Sequence, residues 1–345
     1  MAFFYLLAFI ILLYGARYKR HGFFSDNLGL DQANAIKGFF ILMVFFGHCV
    51  LTIKNAGHTF LNVSDAWGER IWSEFGQLIV VMFLFYSGYG VMESYREKGR
   101  EYLRSFPRRR ILTTLLNFDI AVLLFVALDL ILGIKLGFKQ IGLSLLAWET
   151  VGNSNWYIFI ILFCYVAAYL GFRLLPNDKA KSSSLVFLMV LLGMVGLAYK
   201  KPVWWYNTIL CFPAGMFFSV YKERITEFFQ KYYRAVLLTV LGLFLLLHFV
   251  GLPGFHGITH NVKSVLFAIL IVLLTMRIKT GNPVLLWLGI NVFPIYIYQR
   301  IPMIAMTKLF GDGFVSSYPY VFVLICMIAT FFIAWGYRYW KVRLS

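Results

Sequence analysis

Long apolar runs, nearly free of charge and separated by short polar connections, recur along the whole chain. A run of about 17 to 25 such residues crosses a hydrocarbon core as a helix, and the helix satisfies its own backbone where no water can. The pattern predicts eleven spans: residues 2–15, 35–53, 75–95, 111–133, 155–172, 184–199, 203–221, 235–251, 262–278, 283–309 and 319–337. The expected fold class is therefore all-α, a polytopic integral membrane protein. Polar tracts between spans are loop-sized, the longest being Lys54 to Glu74 and Arg96 to Arg110. They leave a single transmembrane domain over residues 1–345 with no internal repeat.

Composition agrees with that reading. Hydrophobic residues make up 61% of the chain and charged residues 14%, against about 45–50% and about 25% in an ordinary soluble domain. The first run resembles a signal-peptide core in length, but no basic residue precedes it and no small-residue cleavage site follows. Arg17, Lys19 and Arg20 come next, a stop-transfer flank that predicts a retained helix with its N-terminus outside.

Charge fixes the expected orientation. Of the 32 Lys and Arg, 22 lie in alternate flanks, at residues 16–33, 96–110, 173–183, 222–234, 277–281 and 338–345, and 7 in the opposite connections. Positive charge is retained on the cytoplasmic side, so the N-terminus is expected outside and the C-terminus inside. The same distribution accounts for the net charge of +17 without nucleic acid, because the cations sit beside apolar spans where anionic headgroups meet them. Cys49, Cys164, Cys211 and Cys326 each fall in or at the end of a different span with no CxxC or Cys/His pairing, which fits buried free thiols and neither a disulfide framework nor a metal site. The phosphate-loop, dinucleotide and H-E-x-x-H signatures do not occur, so ATP hydrolysis and zinc proteolysis find no support.

The chemistry concentrates in a few places. In the second span Lys37 and His48 are eleven residues apart, which on a helix puts them on nearly one face and about 16 Å apart along the axis. An intramembrane ionisable group is a functional-site candidate: His48 suits a general base for a hydroxyl, or a hydrogen bond between helices. The third span carries Tyr86, Ser87 and Tyr89 around small residues that admit a close helix or a polar ligand. It leads into Arg104, Arg108, Arg109 and Arg110, whose guanidinium forks match phosphate oxygens. Asn153, Ser154, Asn155, Trp156 and Tyr157 stand at the mouth of the fifth span, as a belt anchor or a polar pocket. Gln299 and Arg300 form a polar pair in mid-span, with Asp119 and Asp129 as candidate counter-ions of the arginine.

Ile36-Lys37-Gly38 with Gly47-His48, then Phe85-Tyr86-Ser87-Gly88-Tyr89, the arginine-rich loop, Asn155-Trp156-Tyr157, Phe212-Pro213-Ala214-Gly215-Met216 and Ile295-Tyr296-Ile297-Tyr298-Gln299 resemble, in order, the signatures of the acyltransferase family 3 membrane proteins. The resemblance implies a ten-helix core over residues 30–337, residues 1–20 being an extra N-terminal helix and flank. It implies a bacterial inner-membrane O-acyltransferase moving an acetyl group from acetyl-CoA to a hydroxyl of an envelope polysaccharide or glycolipid. The expected partners are thus acyl-CoA as co-substrate, a glycan or glycolipid acceptor and the bilayer, with no permanently bound cofactor and no metal. The family's R-x10-H element falls on Lys37 and His48, with lysine keeping the charge and losing the bidentate fork. Its R-x-x-R element is replaced by the Arg104 to Arg110 run, and Gln299 stands where many members have histidine. These positions imply His48 as catalytic, Lys37 and the four arginines as donor-binding, and Tyr86, Ser87, Tyr89, Asn155, Trp156, Tyr157, Gln299 and Arg300 as pocket or acceptor residues. A non-enzymatic flippase or exporter of a lipid-linked glycan is the alternative that composition also fits. A membrane sensor or scaffold is the third reading.

Overall fold

A helix apolar on every side belongs inside a bundle, and the second run is such a helix. Residues from Ala33 to Val50 on all faces of α2 (Leu30–Asn55) are buried, so α2 is the central column, and Lys37 and His48 point into protein rather than lipid. A computed structural model describes residues 1–251 and 256–344. The connection expected between the eighth and ninth spans lies partly outside the described residues. Around α2 stand α1 (Ala2–Leu13), α3 (Val63–Phe75), α4 (Val81–Phe106), α5 (Thr113–Ile131), α6 (Phe138–Leu145), α7 (Trp156–Leu174), α8 (Lys179–Ala198), α9 (Cys211–Val220), α10 (Lys222–Lys231), α11 (Tyr233–Phe249), α12 (His256–Arg277), α13 (Pro283–Ile290), α14 (Val292–Tyr298), α15 (Arg300–Ser317) and α16 (Pro319–Gly336). Strand is confined, among the described residues, to β1 (Arg17–Tyr18) paired antiparallel with β2 (Ile278–Lys279). The all-α polytopic architecture is that expected.

The helices are less uniform than the apolar runs. Among the described residues, six helical stretches are long and apolar enough to cross a membrane, or eight when each of two bent pairs is one span. The twelve residues of α1 and the ten of α9 rise only about 18 and 15 Å, short of a core of about 30 Å. Residues Val63–Ile131 run as one helical stretch; Gly99, at φ +53°, breaks it inside the cationic segment, a conformation that glycine adopts without strain. The expected loop after α2 holds α3, whose Asn62 cap accepts from Asp65 N at 2.8 Å. The amphipathic α10 meets α11 at 100°, a short polar-faced helix laid across the end of the bundle as interfacial helices lie. The predicted tenth span is broken: α13 and the helices after it meet at 65°.

Glycines let helices approach backbone to backbone, most closely at two crossings. A Cβ on Gly38 would stand 2.1 Å from the Leu285 carbonyl oxygen, and one on Gly289 1.9 Å from that of Asn34, so α2 and α13 cross in mutual contact. Gly88 and Gly215 do the same for α4 and α9, at 1.9 Å from Phe212 O and 2.1 Å from Phe85 O. Small residues at such crossings allow the close approach that drives association in lipid.

The cation-rich flanks meet at one end. Lys19 N donates to Arg277 O at 2.9 Å, Asn282 donates to the carbonyls of Ile11 and Tyr14, and Arg96 bonds Ser219 O and Glu223. The Lys279 ammonium hydrogen-bonded to Asp26 holds that carboxyl below the usual range. Asn117 exchanges two hydrogen bonds of 2.9 Å with the backbone of Val342. Replacing Asn117 with leucine is expected to cost about 1–3 kcal/mol through the unpaired backbone groups and to expose residues 341–344 to added protease, with cleavage at the wild-type rate counting against the anchor. The opposite end is tied by His58 Nδ1 donating to Ser316 O at 2.6 Å and by Asp65 accepting from Tyr320. His248 lies 2.9 Å from Glu74 at the same end.

Candidate active site

His48 sits on the last third of α2, toward the end opposite the cationic flanks, on the wall of a cavity of about 870 Å³. Its Nδ1 is buried without a hydrogen-bond partner in the protein, whereas a purely structural histidine spends its ring nitrogens on neighbours. Its backbone carbonyl accepts from Thr52 Oγ1 at 2.9 Å. Gln299, fully buried at the break between α14 and α15, lies beside the imidazole. Its Nε2 donates to Tyr296 O at 3.0 Å and its Oε1 is unpartnered. Arg300 lines the same cavity.

The remaining walls come from separate connections at that end. Trp72, Trp148, Trp156, Trp204 and Trp205, five of the nine tryptophans of the chain, face the cavity. Between them stand Asn153 and Ser154, 2% and 5% exposed, whose Nδ2 and Oγ have no partner within the protein. The 147–155 turn that carries them is set by Asn155, whose amide donates to Ala147 O and Glu149 O, each at 2.9 Å. Asn153 Oδ1 accepts from Val151 N at 3.1 Å. Lys201, its side chain 9% exposed, donates to Trp148 O at 2.6 Å and lies 4.0 Å and 4.4 Å above the rings of Trp148 and Trp205. That sandwich, with Glu149 at 3.5 Å, holds two of the tryptophans by cation–π attraction.

The other end of α2 carries the second group. Lys37 is half-buried with Arg110 as its charged neighbour, and Arg110 in turn lies against Tyr102 and Tyr165. Arg104, Arg108 and Arg109 are exposed at the cationic end and do not join them. Among the described residues, Lys37, Arg110 and Arg300 form no ion pair. An unneutralised cation inside a bundle is costly, and three of them mark places where an anion is welcome.

Residues 30–339 match the family described as an acyltransferase domain. The chain belongs to acyltransferase family 3. No curated protein and no solved structure matches it. Family membership makes the protein a membrane acyltransferase, and every motif singled out from the sequence falls inside the matched region.

The structure sorts this acyltransferase's expected site residues into two places. Asn155, Trp156 and Arg300 line the His48 cavity. Tyr157 packs behind it against Tyr296, ring centroids 5.4 Å apart, with Ser87 alongside. Tyr86 is buried with an unpartnered hydroxyl outside the cavity lining. Tyr89 lies toward the cationic end with Lys222 above its ring at 5.5 Å. The expected counter-ions are a correction: neither Asp119 nor Asp129 pairs with Arg300, and Lys308 is the cation that acts on Asp129. Membership of a neighbouring span is the ground for naming them, and it says nothing of which way round the helix they face. Lys201 and the four tryptophans outside the fifth span are additions. Their one sequence signal was the Lys-Lys-Pro-Val-Trp-Trp cluster at 200–205, where lysine reads equally as a loop charge.

Proposed function

We propose that this acyltransferase moves an acetyl group from acetyl-CoA, or a related acyl-CoA, to a sugar hydroxyl of an envelope polysaccharide or glycolipid, in a bacterial cytoplasmic membrane with its cationic end in the cytoplasm. The observation that carries the reading is the His48 cavity, whose wall combines an imidazole with an unpartnered Nδ1, five tryptophan rings and the free Asn153 amide and Ser154 hydroxyl. Broad aromatic faces with a few polar groups between them suit a sugar, whose apolar C–H faces alternate with hydroxyls that need partners. Lys37 and Arg110, two adjacent cations with no carboxylate, suit the phosphates of CoA. About 16 Å of helix separates Lys37 from His48, the length of roughly five extended residues, which an acyl-pantetheine arm matches.

In the proposed reaction the acceptor hydroxyl gives its proton to His48 as its oxygen attacks the thioester carbonyl. The C–O bond forms, the C–S bond breaks, and the imidazolium returns the proton to the departing CoA thiolate. Asn153, Ser154 and the tryptophans hold the sugar, and burial beneath the aromatic wall keeps water from competing. The test compares the ester content of each envelope glycan fraction, by mass, in cells with and without the protein, alongside thiol release from acyl-CoA by the purified protein. One fraction is expected to lose an acyl-sized mass. Unchanged masses in every fraction, or movement of a lipid-linked glycan without acyl-CoA consumption, would overturn the proposal and favour an exporter.

A further inference from the structure

Arg300 stands on the wall between two chambers. One is the His48 cavity; the other is a smaller cavity of about 210 Å³, lined also by Thr52, Asn55, Thr307, Lys308 and Asp312. Thr52 is one helical turn beyond His48 and is bonded to its carbonyl, so the small chamber begins about 6 Å further along α2. Its volume holds about seven waters at ~30 Å³ each. Two cations, Arg300 and Lys308, and one carboxylate, Asp312, face it. Lys308 has Asp312 four residues on and Asp129 nearby, whereas Arg300, half-buried, has neither an ion pair nor a hydrogen bond to the protein among the described residues. A guanidinium in that setting offers a planar pair of donors matched to a carboxylate or phosphate.

We infer that the small chamber is an anion subsite for the acceptor: a carboxylate or phosphate carried by the sugar docks on Arg300, with Lys308 at the rim, while the hydroxyl to be acylated lies at His48. The inference rests on the reading that the His48 cavity seats the acceptor, and it narrows the acceptor to an acidic or phosphorylated glycan. The donor's phosphates do not compete for this role, since Lys37 and Arg110 lie at the opposite end of α2. The offset of one helical turn between imidazole and chamber fits a substituent on the same ring as the reacting hydroxyl.

The experiment measures binding of glucuronate, glucose 6-phosphate and glucose to the full-length protein in lipid nanodiscs, by thermal unfolding and ligand-observed NMR, without acyl-CoA. The wild type is expected to bind one or both anionic sugars about tenfold or more tightly than glucose, as a charge-assisted fork should, and the two anions distinguish a carboxylate from a phosphate acceptor. Arg300→Gln is expected to bring the anionic sugars down to the affinity of glucose. Lys308→Gln, on the exposed rim, is expected to weaken them by a smaller factor. Equal affinities of the wild type for all three sugars overturn the inference, whatever the folding of the variants; so does a full anion preference in Arg300→Gln. Because the readout needs no acyl transfer, acylation that survives loss of His48 would sink the proposed reaction and leave the anion subsite standing.

Discussion

A His48→Ala protein is expected to insert and fold as the wild type does and to lose acyl transfer by about 10²–10⁴-fold, the range that a positioned general base contributes. The two halves of that expectation have separate causes. The fold is spared because the imidazole lines a cavity and its Nδ1 has no hydrogen-bond partner in the protein; Thr52 bonds the backbone carbonyl of residue 48, which alanine keeps. Activity is lost because no replacement base stands at the same depth. Of the other titratable groups on the cavity wall, Glu149 lies 3.5 Å from Lys201 at the mouth, and Arg300 is a cation that cannot accept a proton. Thiol release from acyl-CoA and the mass of the product glycan report the result. A well-folded variant working at the wild-type rate would remove His48 from the chemistry.

The second large effect is on assembly. Gly88→Ala and Gly289→Ala each drive a methyl group into a backbone carbonyl, at 1.9 Å from Phe212 O and Asn34 O, where no side chain can swing aside. Overpacking of this kind costs about 3 kcal/mol, a large share of the stability of a membrane bundle. Gly90→Ala is the control, because a Cβ there meets nothing within 4 Å, although it lies only two residues from Gly88 on α4. Folded yield and melting temperature of the detergent-solubilised proteins are expected to fall sharply for the first two and to stay at wild type for the third. Equal melting temperatures for Gly88→Ala and Gly90→Ala would show that α4 and α9 can part without penalty.

These glycines explain what the ordered motifs were carrying. Gly38, Gly88 and Gly215 lie in three of the quoted signatures, and each is a backbone crossing rather than a catalytic group. The sequence shows that a small residue recurs; only the partner helix shows why. The alternation of apolar spans and cationic flanks was legible because lipid and topology act on local composition. The Lys37 and His48 pair was legible because both lie on one helix, where spacing is distance. The aromatic cavity was not, since Trp72, Trp148, Trp156, Trp204 and Trp205 arrive from three separate connections and converge only when the bundle closes. Nor was the separation of Arg110 from Arg104, Arg108 and Arg109, four cations within seven residues, of which a helix of changing pitch turns one inward and three out. The amphipathic α3 and α10 were hidden for the opposite reason, being too polar to register against the spans around them.

The joint between β1 and β2 bears on how the chain is built in the cell. Asn282 spends its amide on the carbonyls of Ile11 and Tyr14, 271 and 268 residues away, and the strand partners of Arg17 and Tyr18 are Lys279 and Ile278. A ribosome adding about 5–20 residues per second delivers those partners tens of seconds after the first helix has left it. Until then the carbonyls closing α1 must be satisfied by headgroups or water, and α13, which packs the glycine seam of α2, does not yet exist. The α1 segment is therefore locked only after α13 has been made, and the central helix that carries the histidine acquires its final surroundings only then.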